Sequence, residues 1–215
     1  MTEIKYPLSV IDGRIINLKD AFSWILHYFN PNKKTPDIQS SIFDLTCSEM
    51  EMWKEEDFNF FQVITNDINE DIKADHHICC SETYRLPLSV HMLIYDPPYI
   101  DLKNRKDKKE REKLYAYELM NKLEDLEELT RLTAMSAYAL LKPEGKLIAK
   151  ITNFHYGKDQ EMFGCYEYKE WFSDYFTLVD DIIYRFYKHI PNLGQYSKKI
   201  AMTHSHFMIF KPKKR

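Results

Sequence analysis

Glycine is scarce, with five in 215 residues. A phosphate-cradling Walker loop and the tight turn of a serine nucleophile elbow both need glycines at fixed spacing, and neither pattern occurs. Cysteine is limited to Cys47, Cys79, Cys80 and Cys165. An adjacent pair is a poor disulfide framework, so a reducing cytoplasmic setting is expected. No run reaches the roughly 18 apolar residues that a bilayer-spanning helix needs. The start, Met1-Thr2-Glu3-Ile4-Lys5-Tyr6, lacks the apolar core of a signal peptide. No membrane partner is expected. Nor is there an excess of one charge: 30 basic against 33 acidic residues leave a net −3. That excludes a globally basic nucleic-acid coat but allows a local basic face. Internal repeats and low-complexity linkers are absent.

What remains is ample material for a core, at 44% hydrophobic and 14% aromatic residues. The length fits one domain with a short appendage. His76, His77, Cys79 and Cys80 suggest metal at first sight. Adjacent residues on a strand point to opposite faces, so the pairs do not converge, and no metal site is expected.

Leu18–Phe29 reads as a helix, with Ala21, Trp24, Ile25, Tyr28 and Phe29 at helical spacing, stopped by Asn30-Pro31-Asn32. Short apolar runs at 41–45, 61–65 and 91–95 read as strands. A long helix follows, with Leu119, Leu123, Leu126, Leu129, Leu132 and Met135 as its apolar stripe, broken at Leu141–Gly145. Further strands are expected at 146–151, 178–186 and 206–210, with a helix at about 166–176. This alternation predicts an α/β fold: a mostly parallel sheet with helices on both faces. Ligands in such sheets sit beyond the carboxyl ends of the strands. Asp44, Asp67 and Asp96 all stand just after strands.

Asp96-Pro97-Pro98-Tyr99 closes one of those strands with residues suited to one task. An exocyclic amine on a base is a poor nucleophile, because its lone pair is delocalised into the ring. Hydrogen-bond acceptors that hold the amine hydrogens direct that lone pair toward a methyl donor. Asp96 can take one hydrogen and the Pro97 carbonyl the other. Pro98 restricts its predecessor to an extended shape, and Tyr99 offers a flat face for a flipped base.

Ile94-Tyr95-Asp96-Pro97-Pro98-Tyr99 resembles the catalytic motif of N6-adenine methyltransferases dependent on S-adenosylmethionine. Leu140–Ile148 is similar to the helix-turn-strand before the fifth strand of class I methyltransferases. His204–Lys211 resembles the final antiparallel strand of small bacterial and phage DNA methylases. The resemblance implies a Rossmann-like, seven-stranded sheet with an antiparallel last strand. It also implies a methyltransferase domain at 38–215 behind an N-terminal helical appendage at 1–37. The implied cofactor is S-adenosyl-L-methionine, held by Asp44, Thr46, Cys47, Ser48, Asp67, Ile68 and Glu82. In the family the first strand leads into Asp-x-Thr-x-Gly-x-Gly. Here Asp44-Leu45-Thr46-Cys47-Ser48-Glu49-Met50 stands there, with Ser48 and Met50 at the two glycine positions and Trp53 at the matching aromatic place.

The implied reaction is methyl transfer to adenine N6, with DNA the favoured acceptor. RNA, cytosine N4 and a protein amide stay open, as does a degenerate subunit that binds nucleic acid or scaffolds an active partner. A protein partner or self-association is also open. The run Lys103-Asn104-Arg105-Lys106-Asp107-Lys108-Lys109 follows the catalytic motif and is expected to touch phosphates through Lys103, Arg105, Lys106, Lys108 and Lys109.

Overall fold

The computed structural model describes residues 9–13, 16–35, 38–97, 123–152, 154–156, 160–162, 164–185 and 204–214. Its main sheet has seven strands: β1 (Ser9–Asp12), β2 (Ser40–Asp44), β3 (Phe61–Thr65), β4 (Val90–Tyr95), β5 (Leu141–Ile151), β8 (Phe176–Arg185) and β9 (His204–Pro212). They are ordered β1-β8-β9-β5-β4-β2-β3. Only β9 runs antiparallel to its neighbours, β5 and β8. The remaining pairs are parallel. A separate antiparallel pair joins β6 (Phe154–Tyr156) and β7 (Gln160–Met162). The α/β architecture expected from the alternation is thus present, including the antiparallel last strand.

The helices are α1 (Leu18–Phe29), α2 (Asp57–Phe60), α3 (Leu123–Leu140) and α4 (Gly164–Phe172). Alternate residues of each central strand face opposite sides, as period-two geometry requires. Ile42, Met92, Ile94, Ile148, Phe207 and Ile209 join Ala21, Phe22, Ile25 and Leu26 of α1 in one core cluster. Phe43, Leu93, Tyr95, Ala149, Met208 and Phe210 join residues of α3 and α4 in the other. Being buried on both faces is why these strands read as continuous apolar runs.

Three elements differ from the sequence expectation. The seventh strand is β1, which lies within the stretch read as a helical appendage and pairs with β8 from Ser9↔Ile182 to Asp12↔Arg185. The same stretch supplies α1, whose inner face is fully buried. In α3, Leu132 and Met135 are exposed, while Leu126, Thr130, Thr133, Ala134, Ala137 and Leu140 face inward. Steps of three residues advance only about 300° around a helix of 3.6 residues per turn, so the chosen leucine run drifts off the buried face; Leu119 lies outside the described residues. Finally, β5 begins directly at Leu141 and includes the expected Pro-Gly break, with a register shift opposite Val90 and Met92. Gly145 permits this crowding, since a Cβ there would stand 2.9 Å from the backbone oxygens of both His91 and Lys142.

Candidate active site

β2, β3 and β4 are parallel neighbours, so Asp44, Asp67 and Asp96 emerge at one edge of the sheet. The loop after β2 is built around Asp44, which is 1% exposed. Its Oδ2 accepts from Trp53 Nε1 at 2.8 Å and its Oδ1 from the Thr46 N–H at 3.2 Å. Burial raises its pKa to about 7, opposed by those two hydrogen bonds and assisted by repulsion from Asp96 and Asp67. The three carboxylates therefore share one electrostatic environment.

Ser48 and Met50 both adopt left-handed backbone, with φ of 47° and 59°. This conformation costs an L-residue roughly 1–2 kcal/mol relative to its right-handed counterpart. It is held by surrounding contacts. The Ser48 N–H donates to Asp67 Oδ2 at 2.9 Å, Cys47 N–H to the Asn66 carbonyl at 2.9 Å, and Met50 N–H to the Cys47 carbonyl at 3.0 Å. Ser48 is exposed, while Met50 packs against the cluster on the α1 side of the sheet. The left-handed turn forms without glycine, and the bulky Met50 side chain lies partly buried against the core.

Asp67 also accepts from the Asn69 N–H at 2.8 Å through Oδ1. The neighbouring Ile68 is 46% exposed at the edge. Cys47 is buried and its thiol is pushed up to about 12, mainly by that burial, so this residue meets the edge through its backbone. Glu82 lies on the 3-10 helix Cys80–Arg85, is about half exposed, and pairs with Arg85 at 3.3 Å. Thr46 links the loop to the next strand end, its Oγ1 accepting the Asp96 N–H at 2.8 Å. Asp96 Oδ2 meets Lys150 Nζ at 2.5 Å, and both side chains are mostly buried. Pro97 is buried behind it. Pro98 and Tyr99 lie outside the described residues, as do Lys103, Arg105, Lys106, Lys108 and Lys109.

Two residues at this edge escaped the sequence reading. Lys150 sits near the end of β5, and the parallel register Tyr95↔Ala149 puts Asp96 level with it. A charge closing the apolar run Leu147-Ile148-Ala149, at the edge where ligands bind, was the available signal. Asn66 is fully buried; its Nδ2 donates to the Leu45 and Ile78 carbonyls at 2.9 Å, and its Oδ1 accepts the Ile78 N–H at 3.1 Å. That amide ties the Asp44 loop to the segment after β3, which is also held by the bridge Asn66↔His76 and by hydrogen bonds from Asp75 and His76 to Thr65. Nothing in a lone Asn after a strand announces this.

No family model matches the chain, and no curated protein matches it. Similar solved structures exist at low identity. One is a protein solved in work on the conversion of a disulfide bond into a thioacetal group during echinomycin biosynthesis: 9% identity, TM-score 0.52, covering 86% of this chain and 81% of that one. Another is the MccD protein, at 11% identity and TM-score 0.50, covering 86% and 96%. The N-methyltransferase NodS from Bradyrhizobium japonicum WM9 aligns at 9% identity and TM-score 0.48, covering 91% and 98%. The first two likenesses bear on fold, and they agree with the Rossmann-like sheet order.

Proposed function

We propose that this protein transfers a methyl group from S-adenosyl-L-methionine to the exocyclic N6 amine of adenine, most favourably in DNA. The observation that carries the reading is the set of three strand-end carboxylates around a left-handed, glycine-free loop at one sheet edge. This edge suits the cofactor's chemistry. A carboxylate whose pKa stands near 7, beside two more, favours a ligand bearing positive charge, and S-adenosylmethionine carries a sulfonium and an ammonium. When bound, it supplies an electrophilic methyl group.

Asp44, Thr46, Ser48 and the Cys47 backbone would hold the cofactor from the β2 side. Asp67 would take its ribose hydroxyls, Ile68 would pack on its adenine, and Glu82 would accept from its amine. Asp96 would accept an amine hydrogen of the acceptor, with the Pro97 carbonyl taking the other. Lys150 fixes one oxygen of Asp96 and so sets the direction of its partner oxygen. Tyr99 would stack the acceptor base, and the basic run from Lys103 to Lys109 would meet phosphates. We place the protein in the cytoplasm. Among the described residues no helix is long and apolar enough to cross a membrane.

Calorimetric titration with S-adenosylhomocysteine, followed by methylation of DNA, RNA and peptide acceptors with labelled cofactor, tests the reading. Binding together with label in adenine N6 of DNA is the expected result. Label in RNA, in cytosine N4 or in a glutamine amide would move the acceptor while keeping the chemistry. No binding, alone or with a natural partner, would replace the enzyme by the scaffold.

A further inference from the structure

A second polar site stands at the same edge on the opposite face of the sheet. On β9, Met208 and Phe210 pack in the cluster with Tyr168, Trp171 and Phe172 of α4. His206, two residues before Met208, faces that side too. It pairs with Ile151 at the end of β5, one position beyond the Lys150 level where Asp96 is held. Two strand spacings of about 4.8 Å separate β9 from β4, and the two sites stand at the same edge of the sheet.

His206 is 6% exposed, and its Nδ1 lies 3.0 Å from both oxygens of Asp181 on β8. Asp181 pairs with Met208 and so stands diagonally across from His206 on the same face. The carboxylate engages the Nδ1 side of the ring, and Nε2 is the nitrogen turned away from it. That Nε2 is buried and has no hydrogen-bond partner. An orphaned buried polar atom costs on the order of 1–3 kcal/mol, and proteins keep such atoms chiefly where a ligand or water completes them.

The first turn of α4 adds a second such atom. Glu167 Oε2 is also buried without a partner. Cys165, in the same turn, has its thiol raised to about 11, first by burial, then by the charges of Asp181 and Glu167. The packing of Tyr168, Trp171 and Phe172 on Met208 and Phe210 puts α4 on the face of the sheet that His206 and Asp181 share. Tyr166 in that first turn is 69% exposed, the most exposed large hydrophobic side chain among the described residues.

We infer that the His206–Asp181 pair and the first turn of α4 form a subsite for an amino-bearing nucleobase of the acceptor strand, next to the base that is methylated. The inference rests on a nucleic-acid acceptor, as proposed above. Glu167 Oε2 takes an amine hydrogen of the base, and Nε2 takes another in the tautomer whose Nδ1–H is held by Asp181. Carboxylates accept in this way from the amine of cytosine. Tyr166 supplies a face for stacking, a contact that every base can make. Asp181 and Glu167 make the subsite electronegative, which disfavours phosphate. Across the sheet, the Lys150–Asp96 pair serves the reacting amine. The two faces of one edge thus divide the acceptor between them.

The test uses the full chain and fluorescein-labelled single-stranded oligodeoxynucleotides of mixed sequence, read by anisotropy without any turnover. His206→Phe keeps the bulk and removes Nε2. Its oligonucleotide affinity is expected to fall about tenfold, the scale of one hydrogen bond to a buried acceptor, with S-adenosylhomocysteine binding unchanged. Pyrimidine-only oligonucleotides of thymine, which lack an amine, are expected to distinguish wild type from variant least. Nitrogen NMR of the His206 imidazole in the wild-type protein gives a second reading that does not depend on the variant folding: the Nε2 resonance moves when the oligonucleotide is added. Equal affinities for wild type and variant, an unmoved Nε2 resonance, or no oligonucleotide binding by the wild type would each overturn the subsite. Failure to bind S-adenosylhomocysteine with oligonucleotide binding intact would instead sink the methyltransferase reading and leave the subsite standing.

Discussion

The parallel strands end very differently at their two edges. At the amino edge, Ser41 N–H donates to His91 Nδ1 at 3.0 Å, and Lys142 Nζ lies 2.9 Å from His91 Nε2. Burial, and then Lys142, hold that imidazole below its ordinary pKa. Crowding there is met by a glycine, Gly145. At the carboxyl edge, Asp44 is buried, Asp96 and Lys150 are paired, and two non-glycine residues sit in left-handed backbone. The amino edge is packed to be stable. The carboxyl edge concentrates strain and perturbed charge, which the rest of the domain must hold in place and which clusters where ligands act.

The largest break of this contrast is Asp96→Ala. Methylation is expected to fall at least about a hundredfold, the scale of losing one oriented transition-state contact. Binding of S-adenosylhomocysteine by calorimetry should persist, whereas the same loss from Ser41→Ala at the amino edge would erase the distinction between edges.

Asp44→Asn comes next and acts through pH. The folded pKa of about 7 stands above the ordinary carboxylate value of 3.8. Stability from this group is therefore fully present below pH 3.8 and is lost as pH rises through 7. The rise from 3.8 to about 7 corresponds to roughly 4 kcal/mol. Urea unfolding at pH 5 and pH 8 should show the wild type weaker at pH 8 from this source, with a shallower dependence in Asp44→Asn. A cationic ligand favours the ionised carboxylate, so wild-type cofactor affinity should strengthen as pH rises through 7. A pH-independent affinity would remove Asp44 from the site.

Lys150→Met should lower kcat about tenfold while leaving the KM for cofactor in place, since it removes the group that orients Asp96 rather than the acceptor itself. Recovery in Lys150→Arg would distinguish orientation by charge from simple packing. The smallest effect belongs to Ser48→Gly. Ser48 is exposed, so relief of its left-handed backbone should stabilise the protein by up to about 1 kcal/mol in a urea midpoint, less the extra unfolded-state entropy of glycine. Met50→Gly additionally loses packing and should gain less or destabilise. If restoring either glycine instead creates cofactor binding that the wild type lacks, the loop is a block and the edges are alike in being structural.

Most of the sheet could be read from the chain because its central strands are buried on both faces; β3 and α1 have the bounds that periodicity suggests. β1 was invisible for the opposite reason. It has four residues at a sheet edge, with Val10 54% exposed, so no alternation or apolar run marks it. In the site, the aspartates were legible from their places after strands. Lys150 depended on the register of β4 against β5, a long-range fact that no local pattern contains. The shape of the loop at Ser48 and Met50 could not be read from residue types that usually avoid it. It is set by Asp67, Asn66 and the core beneath, each distant in sequence.

Thr46 belongs to both halves of the edge at once: its backbone N–H serves Asp44 and its hydroxyl receives the Asp96 N–H. A ligand that draws the β2 loop inward therefore acts on the strand end that presents Asp96, through one side chain and without any domain movement. Thermodynamic linkage makes such a connection reciprocal, so the factor by which cofactor tightens acceptor binding equals the factor by which acceptor tightens cofactor binding. A Thr46→Val protein, with the hydroxyl gone and the shape kept, would bind the two ligands as strangers.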